Sequence, residues 1–237
     1  MNLTVLRQNG NGKVSESSTP IEIIDWMLER FAGRRMVATT AFGMEGCALL
    51  DMLAERVTRF TVVYLDTHFF FPETHELRRR LAQRYPQIEF VNRGTTLTAE
   101  QQAELYGERL WERDPDLCCK LRKVDPLVDA LCGVDVWVTG LRRGQSSTRA
   151  GLEVVEWDWK YELLKVSPLA GWDRPQVWQY IREHGVPYNV LHERGYPSIG
   201  CMQCTQPVPG AGVQDYTRAG RWAGTGKTEC GMHGYGI

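Results

Sequence analysis

Short apolar runs alternate with amphipathic stretches through the first 140 residues: "MVATT" then "EGCALLDMLAER", "RFTVVYL" then "PETHELRRRLAQRY", "IEFV" then "TAEQQAELYG", and later "DVWVTG". Runs this short suit strands, and the stretches between them carry apolar residues at helical spacing. Strand and helix repeated in this way predict an α/β fold, a parallel sheet flanked by helices, because each crossover must return the chain to the same end of the sheet. In such a sheet ligands bind beyond the carboxyl ends of the strands. The loops to watch are therefore "TTAFGMEG", "LDTHFFFPET" and "TGLRRGQSSTR".

Ahead of the first strand, "TPIEIIDWMLERF" predicts a helix with Thr19 as its N-cap and Pro20 at its first position. The residues before it are polar and Gly/Ser-rich, so 1–18 are expected to form a flexible arm and 19–207 the α/β domain. After about residue 160 the pattern loosens. One more helix is predicted at "DRPQVWQYIREHG"; from Val186 onward Gly and Pro predict loops held by ligands more than by a core, ending in a mobile tail over 208–237. Neither a secretory leader nor an apolar stretch of about 20 residues is present, so a cytoplasmic protein without membrane partners is expected. With 28 basic and 29 acidic residues no nucleic-acid partner is expected, and an anionic ligand must be met by local clusters of charge.

The first strand runs through Thr39, Thr40 and Gly43 into a helix starting near Glu45 or Gly46. Backbone amides, a helix N-terminus and two hydroxyls then converge on one spot, which suits a phosphate. The loop lacks the Gly-Lys-Ser/Thr ending of a Walker motif and the GxGxxG of dinucleotide folds.

Seven cysteines in a reducing compartment point to metal ligation, nucleophilic chemistry or core packing rather than disulfides. "DLCCKLRK" offers Cys118 and Cys119, and "SIGCMQCTQPV" offers Cys201 and Cys204. Four thiolates can hold tetrahedral zinc or an iron–sulfur cluster; adjacent side chains diverge, which is awkward for one small ion and easier for a cubane. Cys47 and Cys132 lie in apolar helical runs and are expected in the core. Cys230, near the end in "KTECGMHGYGI" with Lys227, Glu229 and His233 beside it, is either a surface thiol or a nucleophile favoured by nearby positive charge.

These pieces together resemble the assimilatory adenylyl-sulfate and phosphoadenylyl-sulfate reductases, a family of the adenine-nucleotide alpha-hydrolase-like (PP-loop-related) fold. The matching segments run in order from about Met36 to His233: "TTAFGMEGCALLDML", "YLDTHFFFPET", "CCKLRKVDPL", "VTGLRRGQSSTRA", "SPLAGWDRPQVWQYIREHGVPYNVLHERGYPSIGCMQCTQPV", "RAGRW" and "KTECGMH". Ala41 stands where the family usually has Ser, and His68 where Gly is common.

The resemblance implies an enzyme reducing adenosine 5'-phosphosulfate (APS) to sulfite and AMP, with Cys230 as nucleophile, an S-sulfocysteine intermediate and a separate thioredoxin- or glutaredoxin-like reductant. It implies a 4Fe-4S cluster on Cys118, Cys119, Cys201 and Cys204. It assigns Thr39, Thr40, Ala41, Phe42 and Gly43 to the phosphate loop, Leu65, Asp66 and Thr67 to the adenosine, and Gly140, Leu141, Arg142 and Arg143 to a second ligand loop. Lys123 is placed between cluster and sulfate, and Arg218, Arg221 and His233 on the phosphosulfate. The rivals are reduction of the 3'-phosphorylated substrate (PAPS), an ATP-using PP-loop adenylating enzyme whose cysteines bind structural zinc, and a non-catalytic metal scaffold. The sequence leaves homo-oligomerisation open.

Overall fold

A computed structural model describes residues 14–212 and 218–233. Six strands form one sheet in the order β3-β2-β1-β4-β6-β5. They are β1 (Met36–Thr39), β2 (Phe60–Tyr64), β3 (Ile88–Asn92), β4 (Val136–Thr139), β5 (Val155–Asp158) and β6 (Leu163–Val166). All neighbours pair in parallel except β5, which runs antiparallel to β6. The first four strands and the helices between them lie where the alternating pattern places them. The β5–β6 hairpin was not foreseen. Lys165 interrupts the apolar run of β6, yet that strand is buried throughout, because the ammonium meets Glu156 at 2.9 Å and Asp158 at 3.4 Å.

The helices that matter to the site are α1 (Pro20–Arg30), α2 (Met44–Ala54), α3 (Pro72–Arg84), α4 (Ala99–Tyr106), α5 (Leu110–Arg113), α6 (Pro115–Cys119), α7 (Asp125–Leu131) and α8 (Arg174–Glu183). Helix α1 begins as expected: the Thr19 hydroxyl accepts from the Glu22 amide while Glu22 reaches back to the Thr19 amide, a capping box. Helix α2 starts at Met44, one residue earlier than expected, with Gly43 as a cap that has no side chain to offer its first amides. Between α6 and α7 the chain makes a π-helical turn over Lys120–Val124.

The two sheet faces are covered differently. Ala38, Val62, Val136, Val138, Leu164 and Val166 pack on one side against α1, α2, α3 and α8 through residues such as Ile24, Leu50, Leu81 and Ile181. Val37, Val63, Trp137 and Leu163 form the other side with Leu127, Ala130 and Leu131 of α7, and Tyr161 and Met232 complete that layer. The C-terminal segment therefore takes part of the place a helix would fill on the second face.

Two expectations need correction or limits. Cys47 is fully buried, as expected, but Cys132 is exposed: it follows the last residue of α7, where the chain leaves the helix and the apolar stripe ends. Of the N-terminal arm, Val14 packs on the core and Glu16 meets Arg143 at 2.5 Å, while residues 1–13 lie outside those described.

Candidate active site

A cavity of about 210 Å³ opens at the carboxyl ends of β1, β2 and β4. Of the expected ligand residues, Thr39, Thr40, Ala41, Gly43, Leu65, Thr67, Lys123, Gly140, Leu141, Arg218, Arg221 and His233 line it, together with Cys201 and Cys230. Topology explains the meeting of residues almost 200 positions apart: parallel strands deliver their following loops to one edge, and the C-terminal segment closes over it.

The β1–α2 turn is drawn tight. Thr40 Oγ1 accepts the Phe42 amide at 2.9 Å, and a Cβ on Gly46 would come within 2.4 Å of that same hydroxyl, so only glycine lets the helix start so close to the strand. Phe42 adopts φ 59°, and its ring turns away into the core beside Tyr64, Phe70 and Phe90. Phe42 thus shapes the loop instead of lining the cavity.

Three more expected ligands point elsewhere. Asp66 is occupied in its own turn, where its carboxylate accepts the His68 amide at 2.9 Å. Arg142 is fully buried and gives Nε and Nη2 to Glu45 Oε1 at 3.0 and 2.6 Å. Burial would raise the Glu45 carboxyl, but Arg142 overrides it and holds the group below its ordinary range, so the two form a buried ion pair beneath the loop. Arg143 donates to the Leu152 carbonyl at 2.7 Å and to Glu16. His68 takes φ 59° and keeps its ring on the Thr95 carbonyl at 3.0 Å, so the turn accommodates a side chain where the family favours Gly.

Cys118 and Cys119 end α6, while Cys201 and Cys204 border a short 3₁₀ turn at Met202–Cys204. All four line one small pocket with Phe69, Trp111, Pro115, Arg122 and Lys123. Burial, then the charges of the other three sulfurs, pushes the Cys118 thiol up to about 12; burial and Cys201 push Cys204 up to about 11. Cys201 differs. Burial would raise it as well, but Lys123, the Thr67 hydroxyl at 3.3 Å and Arg221 together hold its pKa below the ordinary thiol value. Lys123 in turn stays charged although buried, because Cys201, Cys119 and Cys230 surround it.

Tetrahedral zinc–thiolate bonds of about 2.3 Å require sulfurs about 3.8 Å apart. Among the described residues the ligand atoms that converge within 4.8 Å are those of Asp51, Glu55 and His184, and no three of the cysteine sulfurs do. The Asp51 carboxylate already accepts the hydroxyls of Tyr85 at 2.6 Å and Tyr180 at 2.8 Å, which gives that cluster a packing role.

Buried side-chain nitrogens gather in the cavity that Cys230 lines. Arg218 Nε, Arg221 Nε, Trp222 Nε1 and His233 Nδ1 are buried without a hydrogen-bond partner among the described residues. Buried donors of this kind are costly unless a ligand satisfies them. A Cβ on Gly200 would lie 2.3 Å from Arg221 Nη2, so glycine there gives the guanidinium its passage to the cavity. Burial, then the charges of Arg149, Lys165, Lys160 and Arg218, keep His233 well below its ordinary pKa and hence a neutral ring, stacked on Trp137 at 5.0 Å.

Arg149 was missed in the sequence, although it closes the loop "TGLRRGQSSTR" that had been singled out. It is buried, lines the cavity and binds Glu229 through Nε at 3.1 Å and Nη2 at 2.8 Å. Ser146 and Thr148 donate to the same carboxylate at 2.9 and 3.2 Å. Its signal was its position, seven residues after Arg142 in a loop already expected to hold ligand; nothing in the sequence tells which arginine of three turns inward.

Known proteins bear on this arrangement. Residues 35–207 match the phosphoadenosine phosphosulfate reductase domain family. The chain is 45% identical over 213 residues to the adenosine 5'-phosphosulfate reductase of Lysinibacillus sphaericus, covering 90% of each. It is 44% identical over 218 residues to that of Halalkalibacterium halodurans, covering 92% of this chain and 93% of the relative. The structure is similar to phosphoadenylyl-sulfate (PAPS) reductase from Candida auris in its phosphate complex, with TM-score 0.69, 33% identity and coverage of 81% and 91%. FMN adenylyltransferase from Candida glabrata shares the fold alone, at TM-score 0.58 and 14% identity over 83% of this chain and 69% of that one. By its sheet order, its cavity and these likenesses, the chain belongs to the phosphoadenosine phosphosulfate reductase family.

Proposed function

We propose that the protein reduces APS to sulfite and AMP, with Cys230 as the nucleophile. The observation that carries this reading is the position of Cys230: it lines the same cavity as the β1–α2 loop, Lys123 and the unpartnered donors of Arg218, Arg221 and His233. The phosphate side of an adenylyl sulfate would take the amides at the start of α2 and the Thr40 hydroxyl, whose oxygen accepts the Phe42 amide and whose hydrogen remains to donate, and the arginines would face the sulfate and the bridging oxygen. The Cys230 thiolate attacks the sulfate sulfur, the S–O bond to the phosphate breaks, and AMP leaves with that electron pair. Positive charge beside the bridging oxygen favours this step because negative charge grows there as the bond breaks.

The S-sulfocysteine left on Cys230 is then resolved by a separate dithiol protein. One thiolate attacks the Cys230 sulfur and expels sulfite; its second thiol breaks the mixed disulfide, returns Cys230 as a thiol and leaves the partner oxidised. In support of a metal centre stands the gathering of the four cysteines with the charged Lys123 in one pocket. Cys118, Cys119, Cys201 and Cys204 would hold a 4Fe-4S cluster. Bound there it would set the electrostatics beside the sulfate, and the electrons for reduction come from thiols. Among the described residues no helix is long and apolar enough to cross a membrane.

The test is the mass of the intact polypeptide after anaerobic mixing of reduced, cluster-bearing protein with APS, and in parallel with PAPS, without a reductant. A gain of one SO₃ unit with APS, absent in Cys230→Ser, supports the reading. A gain with PAPS alone would transfer the substrate assignment to the 3'-phosphorylated nucleotide, and no gain with either overturns the nucleophile.

A further inference from the structure

The segment around Cys230 is held from both sides, and one of the two grips has no role in the chemistry above. Before the cysteine, Glu229 is bound by Ser146, Thr148 and Arg149. After it, the β5–β6 turn takes the main chain: Lys160 Nζ donates to the Gly231 carbonyl at 2.7 Å, and Tyr161 Oη to the Met232 carbonyl at 2.7 Å.

That turn is itself fixed. Asp158 Oδ1 accepts the amides of Lys160 at 3.1 Å and Tyr161 at 3.3 Å, and the other oxygen of Asp158 faces the buried ammonium of Lys165. Glu162, at φ 53°, carries the chain on into β6. The Tyr161 ring is set edge-on against Trp137 at 5.3 Å, and His233 stacks on the same indole. A turn so braced presents two donors at fixed positions to a glycine-rich segment that cannot order itself.

We propose that Lys160 and Tyr161 are positioning residues that hold Cys230 in the cavity for its attack on the substrate. The proposal deepens the reading of Cys230 as nucleophile and rests on it. Neither residue touches the reacting atoms; both act on the two carbonyls that follow the cysteine. Because this grip is on main chain, it does not depend on which side chains the segment carries at 231 and 232.

The experiment compares the cluster-bearing parent with Tyr161→Phe and with the double variant Lys160→Met, Tyr161→Phe, both of which keep the apolar bulk. Two rates are read: carbamidomethylation of Cys230 by iodoacetamide without substrate, resolved by peptide from that of exposed Cys132, and single-turnover SO₃ transfer from APS. Loss of one or two net hydrogen bonds corresponds to about a five- to tenfold effect or more. The expected result is Cys230 alkylation faster by about that factor in the double variant with Cys132 unchanged, and SO₃ transfer at saturating APS slower by a similar factor with KM within about twofold, Tyr161→Phe lying between.

Unchanged rates at Cys230 would overturn the proposal, as would equal acceleration at Cys132, which marks general loosening. If the parent itself takes up no SO₃, the nucleophile reading fails, and the alkylation ratio alone then decides whether the turn holds the segment.

Discussion

Arg221 reaches the cavity only because residue 200 has no side chain. Gly200→Ala is therefore expected to displace the guanidinium while leaving the neighbouring cysteines in sequence. A charged hydrogen bond is worth about 1.5–3 kcal/mol, so KM for APS should rise about tenfold or more with an unchanged far-UV circular dichroism spectrum. At this scale the sequence was legible wherever chemistry follows from residue type and motif. The four cysteines singled out there line one pocket with Lys123, and Lys123, Arg218 and Arg221 line the cavity beside it. Legibility failed where the question was which way a side chain faces. Phe42, Asp66, Arg142 and Arg143 sit in the right loops and turn outward or into the core, whereas Arg149 turns in; adjacency along a loop carries no information about that choice.

Among the elements, α1 shows how local signals suffice. Its N-cap Thr19 and the following Pro20 were readable in the sequence, and the structure adds a capping box with Glu22. Thr19→Ala should cost about 1 kcal/mol of stability in chemical unfolding with kcat unchanged, since α1 packs on the sheet face away from the cavity. Strand β6 shows the opposite. Its lysine breaks the apolar run, yet the strand pairs between β4 and β5 inside the sheet because two acids from β5 meet the charge. Such a strand can be recognised only once its partner is known. Lys165→Met would leave Glu156 and Asp158 facing each other under Trp137, and a loss of about 3 kcal/mol in denaturant unfolding is expected. The same substitution should loosen the Asp158-braced turn, so its alkylation at Cys230 should also quicken.

The whole molecule carries a pH signature through a histidine by the cavity. Burial, then the nearby charge of Arg174, lowers the His192 pKa to about 4, and its Nδ1 hydrogen faces the Tyr196 carbonyl at 2.8 Å. Between about pH 6.5 and 4 the unfolded chain takes up a proton that the folded chain refuses. Stability is therefore full above the unfolded value and falls as the medium is acidified, by about 2 kcal/mol at pH 5 from this group alone. Denaturant unfolding at pH 7.5 and pH 5 should show the loss, and His192→Asn should remove most of that difference. His233, lowered for similar reasons, adds to the slope in the same direction.

One feature of the fold bears on timing. Because Met232 and His233 complete, beside α7, the cover over this apolar sheet face, with His233 stacked on Trp137, any departure of the segment wets part of that face. The undocked form thus carries a hydration penalty fixed by the sheet and independent of what Cys230 bears. On the mechanism proposed above, the reductant would meet it as a brief, minor population, and opening of that face to water would contribute to the pace of turnover.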